Sequence, residues 1–392
     1  MKTLLFALSL LFTSLQALSL DDVIEKSLAN SPSLEVINAR IEANKYAIDV
    51  AKQFENPQLL ITSNTLTADE KMHQQVLSLQ QEIPFYGKRD AEEKIDLAED
   101  AILKQKLQSA KVQLVADIKN EAYTIWELQE LYEITEKYIE LTEQNIALYE
   151  SYTSIDSSQH MGIMKAELSL CDLKIQQSSL RSQLTSAYAR VSYLAAFTIN
   201  ELDIELSMGN LPKKIALDTI YGNNPELAIK EKELLKESAK VTRKELNNYP
   251  DIKLLAGYAY RENYSNYVNF GVALSLPLYG TEESKTEEAR ALKLSVKSQE
   301  GNTKLLLNAQ LKVYYAQMQA AYEIYHIVQD DALIQVAHMF ELSSSSISTG
   351  GDLFKYIDVL FQKLSLEQKS IVALANYKRA QAKIAQLSGA LQ

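Results

Sequence analysis

Between residues 268 and 278 the chain alternates without a break. Val268, Phe270, Val272, Leu274, Leu276 and Leu278 are apolar, and Asn269, Gly271, Ala273, Ser275 and Pro277 between them are small or polar. Period-two alternation predicts a strand with two unlike faces, and about ten residues is the length of a tilted strand that crosses a bilayer. A partner strand precedes it. Ile252, Leu254, Ala256, Tyr258 and Tyr260 share one face, Lys253, Gly257 and Arg261 the other, and the short polar segment Glu262 to Asn266 predicts the hairpin loop. A weaker pair lies earlier: Leu59, Ile61, Ser63 and Thr65 lead out, and Leu77, Leu79, Gln81, Ile83 and Phe85 return, with Gln81 interrupting the apolar face. Such alternation fits two arrangements. One is a small sheet with a face on a helical core; the other is strands with lipid on one side and water on the other.

The remainder has helical period. Leu128, Leu131, Ile134, Tyr138, Leu141 and Ile146 recur at 3/4 spacing with Glu and Lys between them. Helices are predicted over Leu20 to Glu55 and Glu226 to Asn248, each stopped by a proline, because the residue before proline is pushed out of the α region. After the strands come long helices, Lys88 to Tyr152 and Glu282 to Leu342. The turns Ser154 to Gly162 and Ser343 to Gly351 lead into return helices Ile163 to Phe197 and Asp352 to Leu387. Sixty helical residues reach about 90 Å, far more than a globular core needs. The glycines Gly162, Gly350 and Gly351 mark the helix-hairpin tips.

This order occurs twice. Pro32 with Pro225, Pro57 with Pro250, Pro84 with Pro277 and Gly87 with Gly280 are each separated by 193 residues. Ile83-Pro-Phe-Tyr-Gly87 is matched by Leu276-Pro-Leu-Tyr-Gly280, and the unpaired Pro212 lies between the copies. The chain therefore reads as a first repeat over residues 18–206, a linker over 207–219 and a second repeat over 220–392. Pro84 and Pro277, which end strands, and Gly87 and Gly280, which permit a sharp change of direction, form the strand-to-helix turns.

Composition agrees with long helices. The 392 residues hold only 11 Gly and 7 Pro, too few breakers for many short elements. The formal charge of −11 with no basic block leaves no electrostatic footprint for nucleic acid. One cysteine, Cys171, forms neither an intrachain disulfide nor a Cys-based zinc site. The 22 Tyr suit surfaces that meet both oil and water. Residues 1–17 read as an export signal: Lys2, then an apolar stretch from Leu4 to Leu15, then Ala17.

The duplicated plan, the hairpin in each half and the motifs at the strand-to-helix turns resemble the TolC-like outer-membrane factor family. Those motifs are Gln81-Glu-Ile-Pro84-Phe-Tyr-Gly87-Lys-Arg89 and Leu274-Ser-Leu-Pro277-Leu-Tyr-Gly280. The opening Leu20 to Pro32 and Tyr356-Ile-Asp358-Val-Leu360 are also similar to the family's pattern, and the likeness covers residues 18–390. It implies a mainly α protomer with a small β part: a duplicated long-helix coiled-coil bundle whose four strands contribute to a trimeric twelve-stranded barrel. That barrel would lie in the outer membrane of a Gram-negative bacterium and continue as a helical tunnel into the periplasm. The implied function is passive export. The implied partners are two further copies, outer-membrane lipid, a periplasmic adaptor and an inner-membrane pump, with the RND type as the leading expectation. Around Gln81 to Arg89 the likeness leans towards the CusC- and CzcC-like branch that serves metal-ion pumps. The resemblance also places an acidic constriction at Asp358, with Asp352 as the alternative, although an Asp at a helix start is equally an N-cap.

Chemistry beyond conduction has little to stand on. His160, Met161 and Met164 near the first tip have the softness of Cu(I) ligands, but Met on a helix is more often a packing residue, and neither metal nor cofactor is assigned. No catalytic motif occurs, so an exported helical enzyme lacks a constellation. The competing reading is a soluble periplasmic coiled-coil adaptor or scaffold, which should lack both alternating hairpins.

Overall fold

The computed structural model describes residues 18–64, 73–152, 157–347 and 352–391. The export signal and the tip glycines Gly350 and Gly351 lie outside the described residues. Strand β1 (Leu18–Ser19) leads into helices α1 (Leu20–Asn30) and α2 (Pro32–Lys52). Strands β2 (Gln58–Ser63) and β3 (Gln74–Ile83) follow, then helices α3 (Lys88–Tyr152) and α4 (Ser157–Ala195). After the short strand β4 (Leu202–Asp203) the order recurs: α5 (Leu217–Asn223), α6 (Pro225–Glu245), β5 (Ile252–Arg261), β6 (Tyr267–Leu274), α7 (Thr281–His326), α8 (Leu333–Ile347) and α9 (Leu353–Leu387). The protein is mainly α with a small β part, as its periodicity predicts. The 193-residue spacing extends to element bounds: Pro32 and Pro225 open α2 and α6, Lys52 and Glu245 close them, and Lys88 and Thr281 open α3 and α7.

Several boundaries differ from the predicted ones, each for a local reason. The first helix is two, because Ser31 is held extended at ψ 116° ahead of Pro32. Pro32 then starts α2, where its missing N–H costs nothing. In the second copy, α5 precedes α6. Asn224 caps α6 by accepting the Leu227 N–H at 2.9 Å, and Leu246–Asn248 tighten into a 3₁₀ turn. Strand β6 stops at Leu274, short of the predicted Leu278. Ser275 N–H still reaches the Asp251 carbonyl at 3.2 Å, but Pro277 has no N–H for a ladder. Between α7 and α8 the long helix widens into a π turn over Ile327–Ala332.

The chain packs as two compact units, one of Met1–Pro32, Lys111–Ile215 and Gln310–Gln392, the other of Ser33–Ala110 and Ala216–Ala309. In the first unit, α3, α4 and α9 bury Tyr138, Tyr149, Ile163, Leu173, Ile357 and Leu360 together, with Phe340 of α8 packed against them. Each such side chain contributes on the order of 2 kcal/mol through removal from water. Thr135 and Thr142, fully buried on α3, donate their hydroxyls to the carbonyls of Leu131 and Tyr138, so no buried hydroxyl is orphaned there. A second cluster joins Trp126, Leu374 and Ala375 to Ile204, Leu206 and Met208 of the segment after β4. The other unit holds a four-stranded sheet and the helices continuous with it, tied by Lys236–Glu99 and Arg243–Glu92 ion pairs of 2.7 and 3.0 Å. Among the described residues no helix is long and apolar enough to cross a membrane.

Candidate functional site

The four-stranded sheet is antiparallel throughout, in the order β2-β3-β5-β6. Its register sets Ile61, Leu77, Tyr258 and Val268 in one row and Leu59, Leu79, Ala256 and Phe270 in the next. Leu254 with Val272 and Ile252 with Leu274 continue the same face. This face is bare: Phe270 is 83% exposed and Ile61 71%. The opposite face carries Ser78, Gln80, Glu82, Lys253 and Asn269, and Lys253 pairs with Glu82 directly across the strands at 2.9 Å. Gly257 lies between Ser78 and Asn269, where an added Cβ would sit 2.7 Å from the serine oxygen. Of the two arrangements that alternation allows, the sheet packed on a helical core fails, because the apolar face is the uncovered one. A contiguous bare apolar face of this extent marks contact with lipid or protein.

Gln81, the apparent flaw in the first apolar face, is satisfied locally. Its amide nitrogen donates to the carbonyls of Glu55 and Glu82, both at 2.9 Å. The outer edges of β2 and β6 have no strand partner among the described residues.

Strands give way to helices through short turns. Pro84 follows the last residue of β3, and Gly87 and Gly280 adopt φ +85° and +71°. At Gly280 no atom lies within 4 Å of an added Cβ, so its substitution tests backbone conformation alone. Gly280→Ala should cost about 1–2 kcal/mol, the left-handed penalty for an L-residue, read as a lower thermal midpoint of the purified protein. An unchanged midpoint would show that this turn tolerates a side chain.

Beside Gly87 lies a contact that no motif announces. The Lys88 ammonium, only 3% exposed, donates to Asp251 Oδ1 at 2.8 Å and to the Tyr249 carbonyl at 3.0 Å. The Phe85 N–H donates to the same Asp251 oxygen at 2.7 Å, and the Phe85 and Tyr249 rings stack with centroids 4.6 Å apart. Burial opposes ionisation of Asp251, but the Lys88 and Phe85 hydrogen bonds outweigh it and hold the carboxyl below its ordinary value.

The helix tip belongs to the first unit. Asp358 is the exposed member of Tyr356-Ile-Asp-Val-Leu360, whose other four residues are buried. It is ion-paired with Lys165 of α4, whose ammonium sits 3.5 Å from the centre of the Phe354 ring. Asp352 acts as the N-cap of α9, accepting the Phe354 N–H at 2.9 Å. Tyr138 of α3 donates to Glu367 at 2.8 Å, and burial followed by that hydrogen bond pushes its phenol well above the ordinary value. Asn145 donates to the Tyr356 hydroxyl at 3.3 Å. Gly162 sits inside α4 rather than in the turn. Its missing side chain lets α9 approach, since an added Cβ would lie 3.1 Å from Leu353 Cβ. His160, Met161 and Met164 stand exposed on α4. Among the described residues, no three His, Cys, Asp or Glu side chains converge as a metal site.

Residues 23–196 match the family model of the outer membrane efflux protein. The fold superposes on CusC with a TM-score of 0.81 at 12% identity, over 95% of this chain and 92% of that one. VceC from Vibrio cholerae gives 0.78 at 15%, over 95% and 97%. The open MtrE channel of Neisseria gonorrhoeae gives 0.79 at 14%, over 95% and 89%. No curated protein matches the chain in sequence. The fold is that of the outer-membrane channels.

Proposed function

We infer that this protein is the outer-membrane channel of a tripartite efflux system, passively conducting what an inner-membrane pump and a periplasmic adaptor deliver. The observation that carries the inference is the inverted sheet, whose mostly apolar face is bare and whose polar residues Ser78, Gln80, Glu82, Lys253 and Asn269 lie on the opposite face. In water such a face would be a liability; in lipid it is the stable arrangement. Open strand edges are not tolerated in hydrocarbon, so β6 of one copy pairs with β2 of the next and three copies close twelve strands. A soluble adaptor has no use for such a face. Heat-modifiable trimers in the outer-membrane fraction are expected, and a mature protein found wholly in high-salt soluble extracts would overturn the reading.

The finer parts of this reading rest on resemblance and residue chemistry. Residues 1–17 serve as the export signal, the repeats meet at the 207–219 linker, and the pump is of the RND type. The Gln81 to Arg89 motif, through its resemblance to the branch that serves metal-ion pumps, supports metal-ion cargo. Asp358 constricts the inner end, and its pairing with Lys165 gives that role a concrete form: each carboxylate in a ring of three is neutralised by a lysine of its own chain, which also ties α4 to α9. Asp352, engaged as a cap, serves the fold of α9 instead. In planar bilayers, Asp358→Ala and Lys165→Ala should both loosen this tie and raise conductance. Their selectivities should diverge, because Lys165→Ala leaves three bare carboxylates that favour cations, whereas Asp358→Ala favours anions. Wild-type conductance and selectivity in both variants would remove the pair from gating.

A further inference from the structure

At the end away from the strand-to-helix turns, the polar face of the sheet finishes in a small cluster. Gln74 of β3 lies opposite Arg261 of β5, and its amide nitrogen donates to the Tyr267 hydroxyl of β6 at 2.9 Å. The Arg261 guanidinium sits 4.9 Å from the centre of the Tyr267 ring and 5.8 Å from that of Tyr264. Its Nε donates to the Ser265 carbonyl at 2.9 Å, and a terminal nitrogen donates to the same oxygen. Two rings and a carbonyl hold this cation in place; no carboxylate does. Glu262, its neighbour in the chain, stands 4.0 Å from His73 instead, and Arg261 forms no ion pair among the described residues.

The other charges on this face cancel. Lys253 and Glu82, towards the helical end of the same strands, pair at 2.9 Å, and the remaining polar-face residues of the four strands are uncharged. The strands therefore carry one unbalanced cation per chain. Counting back 193 residues from Arg261 gives Ala68, so the first hairpin has no arginine at the matching position. Further copies do not cover the site. Arg261 stands on an inner strand, and only β2 and β6 have outer edges to offer a neighbour. In a closed barrel the polar face lines the water-filled lumen.

We propose that Arg261, repeated in each copy, forms a ring of positive charge at the outer mouth of the barrel and makes that mouth prefer small anions to small cations. The proposal rests on the channel reading. Rings of Arg or Lys select anions because the fixed charge concentrates the opposite ion beside it. Twelve strands about 4.8 Å apart and tilted by about 40° close a circle of about 12 Å backbone radius. A Debye length of about 10 Å at 0.1 M salt carries the field across most of that lumen, whereas about 3 Å at 1 M confines it to the wall. The ring therefore acts in dilute salt only, and this separates it from a contact that merely folds the hairpin. The test is the reversal potential of the full-length trimer in planar bilayers under a KCl gradient. Wild type should prefer chloride to potassium about twofold near 0.1 M and lose the preference near 1 M. Arg261→Gln should lack it at both strengths. Arg261→Lys, which keeps the charge without the forked contact to Ser265, should retain it. Charge can also be restored after assembly, in Arg261→Cys with Cys171→Ser. A methanethiosulfonate bearing an ammonium should return the preference, and one bearing a sulfonate should reverse it. Asp69, Glu70 and Lys71 of the first hairpin loop, outside the described residues, are common to every variant and drop out of these differences. Equal preference in wild type and Arg261→Gln overturns the proposal, and so does a modified cysteine whose charge leaves the reversal potential unmoved. Conductance without the preference sinks this proposal alone; no conductance from any variant or wild type sinks the channel reading with it.

Discussion

Val272→Lys should abolish accumulation of trimer in the outer membrane. Val272 sits opposite Leu254 on the bare face of the sheet and is 68% exposed within the chain. A lysine on the lipid face near the bilayer midplane costs about 2–4 kcal/mol, and a closed ring repeats the cost in every copy. The sum rivals the whole stability of an ordinary domain, about 5–15 kcal/mol. The control is Gln80→Lys, two strands away on the opposite face, beside Leu255. Lysine there meets water and other polar groups, and trimer yield should stay near the wild-type level. Heat-modifiable bands on unheated gels of outer-membrane fractions decide it. Equal yields from the two variants would mean that the sheet's faces are not lipid and water.

Asp251→Asn should be the most damaging single change near the strand-to-helix turns. It leaves the Lys88 ammonium buried without a counter-charge, a situation that costs about 3–5 kcal/mol when one partner of a buried pair is removed. Asp251 is 22% exposed on its side, so the lower end of that range is expected. The double variant Lys88→Leu with Asp251→Asn should recover much of the loss, because it removes the stranded charge along with its partner. The same pair makes stability depend on acid. The carboxyl of Asp251 is held below its unfolded-state value, so its contribution is complete above the ordinary carboxylate range near ~4 and fades as pH falls through the lowered value. Thermal midpoints measured down that range should fall more steeply for wild type than for Asp251→Asn. Parallel slopes would show that the pair does not govern this junction.

What could be read from the chain, and what could not, follows from the range of each interaction. A face turned to lipid imposes period two on every second residue, so Val268 to Leu274 announced a strand without help from elsewhere. Prolines act on the residue beside them, which is why Pro84 and Pro250 marked ends correctly. The same rule applied at Ser31-Pro32 would have found the break between α1 and α2, which the continuous apolar pattern masked. Gly162 was legible as a special position but not as the right kind: an approach to Leu353 depends on a helix that begins 191 residues later. Lys88 and Asp251 lie 163 residues apart, and nothing around either one distinguishes it from the many surface charges of an acidic protein.

The Lys88–Asp251 contact also breaks the symmetry of the duplication. Counting forward 193 residues from Lys88 gives Thr281, and counting back from Asp251 gives Gln58, so the second copy of the motif holds no equivalent pair. In the proposed ring of three chains, strand-to-helix junctions that hold the buried pair would alternate with junctions that lack it, so a backbone that repeats six times would carry only three such ties.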